Sequence, residues 1–193
     1  TTVVSTSLLG RVAEAHGARL AETLTGFKWI ANKAMDDAGT FVVGFEESLG
    51  YSIGDVVRDK DGLSAALHIL DLASQCKAQG TTLMAHLTAL YRRYGYVASV
   101  QKSIKMPGLE GADRMRAVMD SLRASPPATI AGLAVERIRD VSTGTATVVA
   151  TGETTALDLP ASNVIAFDLA AGCRVLARPC LLYTSPSPRD RYG

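Results

Sequence analysis

TTVVSTSLLGRVAEAHGARLAETLTGFKWIANKAMDDAGTFVVGFEES, Thr1 to Ser48, is the stretch that decides the fold class. Val3 and Val4 sit in a short β-forming run. Leu8 to His16 has helical spacing and stops at Gly17. Arg19 to Leu24 is a second strand candidate, Thr25-Gly26 is a turn, and Lys28 to Asp37 reads as a helix with Trp29, Ile30 and Ala34 on one side. Phe41-Val42-Val43 is a continuous apolar run of the kind found in a strand covered on both faces. A β-α-β-α-β order predicts an α/β layer with parallel strands. The chain begins inside a core element, which predicts that it is cut from a longer parent.

Outward from that stretch lies GFEESLGYSIGDVVRDKDG, Gly44 to Gly62. It holds two carboxylates and a hydroxyl in a glycine-flanked turn, with Arg58 and Lys60 shortly after. A carboxylate accepts hydrogen bonds from two vicinal hydroxyls, each worth roughly 1.5–3 kcal/mol where water is excluded. The cations suit the anionic part of the same ligand. A sugar phosphate satisfies both halves.

Beyond the acidic loop, Asp61 is placed to cap a helix whose Leu63, Leu67, Leu70 and Ala73 make one apolar face. Gly80 ends it. Thr81 begins a further helix carrying Leu83, Leu87 and Leu90, and Gly95 ends that one. Tyr96 to Met106 reads as a strand leading out, and Pro107-Gly108 is the best boundary. Ala112 to Leu122 is amphipathic, with Met115, Val118, Met119 and Leu122 inward. Short strands follow near Leu133 to Ile138, Ala146 to Ala150, Val164 to Phe167 and Val175 to Ala177, a small α+β module.

The 193 residues are 47% hydrophobic and 20% charged, with net charge +1. That balance lacks the basic excess of a nucleic-acid binder, and no apolar run is long enough for a membrane span. Cys76, Cys173 and Cys180 show no metal-ligand spacing, which reads as reduced cytoplasmic thiols. His16, His68 and His86 read as structural. No GxGxxG or GxxxxGK[ST] is present. CLLYTSPSPRD, Cys180 to Asp190, breaks the pattern. Back-translated, it can be spelled as a transposon-type sequencing adapter, so residues 180–193 read as a non-native scar, the alternative being a genuine Pro/Ser tail.

GFEES resembles the sugar-specificity loop of the α-D-phosphohexomutases, the phosphoglucomutase and phosphomannomutase superfamily. TLTGFKWI (Thr23 to Ile30), VRDKDG (Val57 to Gly62) and Arg178-Pro179 agree with it in order and spacing, from Thr1 to Pro179. The resemblance implies an incomplete third domain of α/β layers over 1–106 and a truncated small α+β fourth domain over 107–179. It implies that Glu46 and Ser48, with Glu47 and Gly44, hold sugar hydroxyls. Thr25 and Gly26 would form a second substrate-facing loop through backbone groups. Lys60 would lie near the transferring oxygen, stabilising charge and shuttling a proton, and Arg58 would meet phosphate.

The parent implied by that resemblance interconverts hexose 1-phosphate and hexose 6-phosphate through a bisphosphorylated intermediate. It would use Mg²⁺, with hexose 1,6-bisphosphate as activator. In the family the phosphoserine and the aspartate-rich metal loop lie in the first two domains, and neither motif occurs in these residues. A Ser-Gly-Thr type phosphate loop is expected after Arg178-Pro179 and is replaced by the tail. The expectation is therefore a fragment that is inactive alone, whose second half is the less stable. The rival reading is a stand-alone, non-catalytic sugar-phosphate binding module.

Overall fold

Residues 1–102 form helices around a small amount of sheet. Leu8–Ala15 is α1 and Phe27–Asp36 is α2. Val43–Glu46 and Gly50–Ile53 are β1 and β2, and Gly62–Ala78 and Leu83–Tyr94 are α3 and α4. The computed structural model describes residues 1–36 and 39–179. Expectations for Cys180 to Gly193, and for Asp37, lie outside the described residues. The chain divides into two units between Lys102 and Ser103.

The fold is α/β, with corrections to the sequence reading in the first unit. The expected parallel pairing is reduced to a single bridge between Thr2 and Thr23. The amide of Val3 donates to the Thr23 carbonyl at 2.8 Å, and the amide of Thr23 donates to the Thr1 carbonyl at 2.9 Å. The apolar run Phe41-Val42-Val43 does not become a doubly covered strand. β1 starts only at Val43, Val42 and Val43 are exposed, and β1 pairs antiparallel with β2 in a hairpin. In this register Glu46 lies opposite Gly50 at the turn end of the hairpin.

Helix ends follow local chemistry. The Asp61 carboxylate accepts from the amides of Leu63 and Ser64, capping α3 as expected. Thr82, not Thr81, caps α4 by accepting from the Ala85 amide. The apolar stripe of α3 is a second correction. Leu63, Leu67 and Leu70 are 82%, 69% and 65% exposed, while Cys76 on the same helix is buried. A two-stranded hairpin is too narrow to cover a 17-residue helix. Residues 96–106 form no strand, and Tyr96, Val100 and Ile104 are exposed.

Among its described residues the second unit contains Gly108–Ala124 (α5) and six strands: β3 (Thr129–Ile130), β4 (Leu133–Asp140), β5 (Thr145–Val148), β6 (Thr154–Ala156), β7 (Ile165–Leu169) and β8 (Arg174–Ala177). The sheet order is β6-β5-β4-β7-β8, with β3 paired to β4. β3 and β6 were not evident in the sequence because two or three residues carry no readable period. Met119 of α5 packs with Val135, Ile165, Phe167 and Leu169 in the hydrophobic core. Val118, expected inward, is exposed.

Burial argues for the opposite order of stability from the one expected. The second unit owns the contiguous apolar core, whereas much of the apolar surface of α3 and α4 in the first unit meets solvent. Amide exchange should therefore be slowest in β4 and β7 and faster through α4. Faster exchange in β7 than in α4 would contradict this. Truncation of Phe167 to Ala should lower the unfolding free energy of the second unit by about 3–5 kcal/mol in urea titration.

Asp140 offers a pH test. Burial pushes its carboxyl up, but hydrogen bonds from the Ser142 hydroxyl and amide, with Arg123 beside it, outweigh burial and hold it below the ordinary 3.8. Its stabilising contribution is therefore complete above that value and is lost as pH falls through the folded pKa. Asp140→Asn should make stability decline less steeply below about pH 4, measured by urea unfolding across pH.

Candidate functional site

The hairpin β1–β2 carries the acidic turn, and the turn sends its two glutamates in different directions. Glu46 is buried, with only 7% of its surface exposed. One carboxylate oxygen lies 2.8 Å from the Lys60 ammonium, and the other accepts from the Gly26 amide at 3.1 Å. Lys60 also donates to the Ser48 carbonyl at 2.8 Å. Three stretches far apart in sequence thus converge: the turn before α2, the tip of the hairpin and the loop before α3.

This convergence has a chemical capacity. A carboxylate offers about four acceptor positions and an ammonium three donors. Glu46 spends two on Lys60 and Gly26, and Lys60 spends two on Glu46 and Ser48. Among the described residues, acceptor positions on Glu46 and one donor on Lys60 remain for a ligand. The burial that makes a bare carboxylate expensive also makes each added hydrogen bond stronger.

Glu47 faces the first loop. Its oxygens accept from the Ser5 hydroxyl at 2.7 Å and from the Thr6 amide at 2.9 Å. It fastens the hairpin to residues 5 and 6, which is a positioning task. Ser48 is exposed at the turn and enters the cluster through its carbonyl. Leu49, 86% exposed, completes the turn with φ of 55°, a backbone region that costs a β-carbon-bearing residue about 1–2 kcal/mol.

Of the other expected site residues, Thr25 and Gly26 come to the cluster through the Gly26 amide, which meets Glu46. Gly44 is buried in β1, where a β-carbon would lie 2.5 Å from Ile30 Cγ2 and 3.1 Å from Phe41 Cζ. Its contribution is close packing of α2 on the hairpin. Arg58 is not brought to Glu46. It stands at the rim of a separate cavity between α2 and the loop after β2. His16 bonds the Tyr94 hydroxyl at 2.8 Å, in keeping with a structural role.

Gly50 and Phe27 are supports that the sequence did not single out. A β-carbon at Gly50 would lie 2.8 Å from Lys60 Cε, 2.9 Å from Phe27 Cδ2 and 3.1 Å from Glu46 Cγ. A side chain at position 50 would have to displace the lysine tail and the Phe27 ring from where they meet beside Glu46. The signal available in sequence was the glycine flanking the turn. Crowding from residues 27 and 60 is a tertiary fact.

Comparison with known proteins bears on this geometry. Residues 1–94 match the family described as phosphoglucomutase/phosphomannomutase, alpha/beta/alpha domain III. The chain is 32% identical over 179 residues to a probable phosphoribomutase of Schizosaccharomyces pombe, covering 89% of the chain and 30% of that protein. It is 35% identical over 179 residues to a probable phosphomannomutase of Haemophilus influenzae, covering 92% and 32%. It is 34% identical over 165 residues to a phosphoglucomutase of Staphylococcus aureus, covering 84% and 30%. The chain spans about a third or less of the length of these relatives.

Among solved structures, the open form of the exocytosis-sensitive phosphoprotein pp63/parafusin, a phosphoglucomutase from Paramecium, shares the fold with a TM-score of 0.58 at 20% identity. The match covers 92% of the chain and 29% of that protein.

The crowding at position 50 yields a test that needs no substrate. Gly50→Ala should destabilise the first unit by about 1–3 kcal/mol, the usual cost of overpacking. The same change should shift the Gly26 and Lys60 amide resonances in NMR spectra. Unchanged spectra at both residues would show that the lysine does not cross the hairpin at Gly50.

Proposed function

This chain belongs to the phosphoglucomutase/phosphomannomutase superfamily, and we propose that it supplies the sugar-reading loop of a parent enzyme acting on hexose phosphates. The parent interconverts hexose 1-phosphate and hexose 6-phosphate through a bisphosphorylated intermediate, as a cytoplasmic isomerase. The observation that carries the reading is the Glu46–Lys60–Gly26 cluster. Its three members come from GFEES, VRDKDG and TLTGFKWI, the motifs on which the family resemblance rests.

In this reading Glu46 accepts hydrogen bonds from vicinal sugar hydroxyls, with Ser48 and the backbone of the turn beside it. Glu47 holds the turn against Ser5 and Thr6. Lys60 is the catalytic candidate. Its remaining donor meets the oxygen that gives or receives the phosphoryl group, and its charge offsets the charge that develops there. Arg58 stands apart from this set and is not assigned a role in it. Relatives named for glucose, mannose and ribose fit a loop that grips neighbouring hydroxyls rather than a single ring shape.

Mg²⁺ and hexose 1,6-bisphosphate belong to the proposed parent. Among the described residues no group of three His, Cys, Asp or Glu lies close enough to hold an ion, so no step here runs through one. Phosphoryl transfer depends on positioning and charge stabilisation by several parts at once. Among the described residues no helix is long and apolar enough to cross a membrane.

Two measurements test the proposal. In the complete parent, Glu46→Ala should lower kcat/KM for glucose 1-phosphate by about 10⁴, because a site built for hydroxyls leaves partners unpaired when one is removed. Serine phosphorylation from the bisphosphate should persist in that variant. An unchanged kcat/KM would remove the loop from the site. The 193-residue chain alone, given glucose 1-phosphate, Mg²⁺ and bisphosphate, should form no glucose 6-phosphate, and measurable turnover would overturn the split-site reading.

A further inference from the structure

A cavity of about 140 Å³ lies between α2, the β1–β2 hairpin and the loop that follows it. Phe27, Ile30, Ala31, Ala34 and Phe41 supply apolar walls, with Met35 and Val57 beside them. An engineered cavity of about 150 Å³ lined by similar side chains stays dry and takes up benzene. The volume here therefore matches one six-membered aromatic ring.

The rim is charged. Arg58 and Asp55 both border the cavity, and neither has a hydrogen-bond or ion-pair partner among the described residues. Groups on the floor are already engaged. The Ser52 hydroxyl donates to the Val57 carbonyl at 3.1 Å, and the Gly54 amide donates to the Val42 carbonyl at 3.0 Å. The guanidinium is thus the donor left for a ligand, and its planar fork matches a carboxylate. Asp55 on the same rim penalises a second negative charge.

We propose that this cavity is a second binding site, distinct from the Glu46–Lys60 cluster, for a small aromatic monocarboxylate whose ring enters the cavity and whose carboxylate meets Arg58. The site does not rest on the proposed mutase activity. It does touch the first site physically, because Phe27 lines the cavity and also packs beside the place where Lys60 crosses Gly50. A ring in the cavity is felt at the turn through Phe27.

The probe is benzoate, titrated into the 193-residue chain and followed by methyl and amide NMR. Saturable shifts are expected at the Ala31 and Ala34 methyls, with benzoate binding about tenfold more tightly than benzyl alcohol. Arg58→Gln should erase that tenfold preference, and Ala34→Leu should abolish binding of both. Arg58 is exposed and has no partner among the described residues, so its variant keeps the test decisive even where Ala34→Leu fails to fold. Inorganic phosphate should not displace benzoate. Non-saturating shifts, benzoate binding unchanged in Arg58→Gln, binding that survives in a folded Ala34→Leu, or displacement by phosphate would each overturn the proposal. None of these readouts involves turnover, so they stand or fall apart from the hexose phosphate reading.

Discussion

The buried carboxylate of Glu46 is the constraint around which the first unit is arranged. An ionised carboxylate removed from water costs several kcal/mol unless charge and hydrogen bonds replace the lost hydration. Lys60 and the Gly26 amide provide them. Because these partners come from separate loops, satisfying one side chain brings together the start of α2, the hairpin turn and the approach to α3. The requirement reaches further still, since the lysine arrives over Gly50, where a β-carbon would push it aside.

The two units are held by different physics. The second has an apolar core in which the consecutive Val164, Ile165, Ala166 and Phe167 are all buried, and α5 closes one face with Met119. The first buries an unusual share of polar groups: Thr2, Ser5, Thr23, Glu46 and Ser52. Polar networks of this kind demand directional partners, so they specify geometry more sharply than an apolar core of equal size. Glu47, Ser5 and Thr2 form one such chain, with oxygen–oxygen distances of 2.7 and 2.9 Å. That network holds the turn against the first segment without using Glu46. The position of Glu46 is thereby set from two sides, by its own partners and by the anchoring of its neighbour.

Local signals carried a good deal of the fold. Asp61 as a cap, α1 ending near Gly17 and α4 ending at Gly95 follow from residues within a few positions of each other. Hydrophobic period was less faithful where the partner surface was missing. Leu63, Leu67 and Leu70 have the spacing of a buried stripe, yet the hairpin beside α3 is too narrow to receive them. Residues 96–106 alternate like a strand but pair with nothing among the described residues. Strand pairing is a property of two segments, and one segment cannot declare it.

What the sequence determined by itself was the class of the fold, the Asp61 cap, and the identity of the acidic loop with its downstream lysine. Those depend on side-chain type and spacing along one stretch of chain. What only the tertiary structure decided was which glutamate meets the lysine. Glu46 and Glu47 are chemically identical, and the antiparallel register that sets Glu46 opposite Gly50 turns one toward Lys60 and the other toward Ser5. Arg58, only two residues from Lys60, instead lines a cavity beside α2. Proximity in sequence fixes composition within a loop, whereas direction is set by the pleat and by whatever packs against each face.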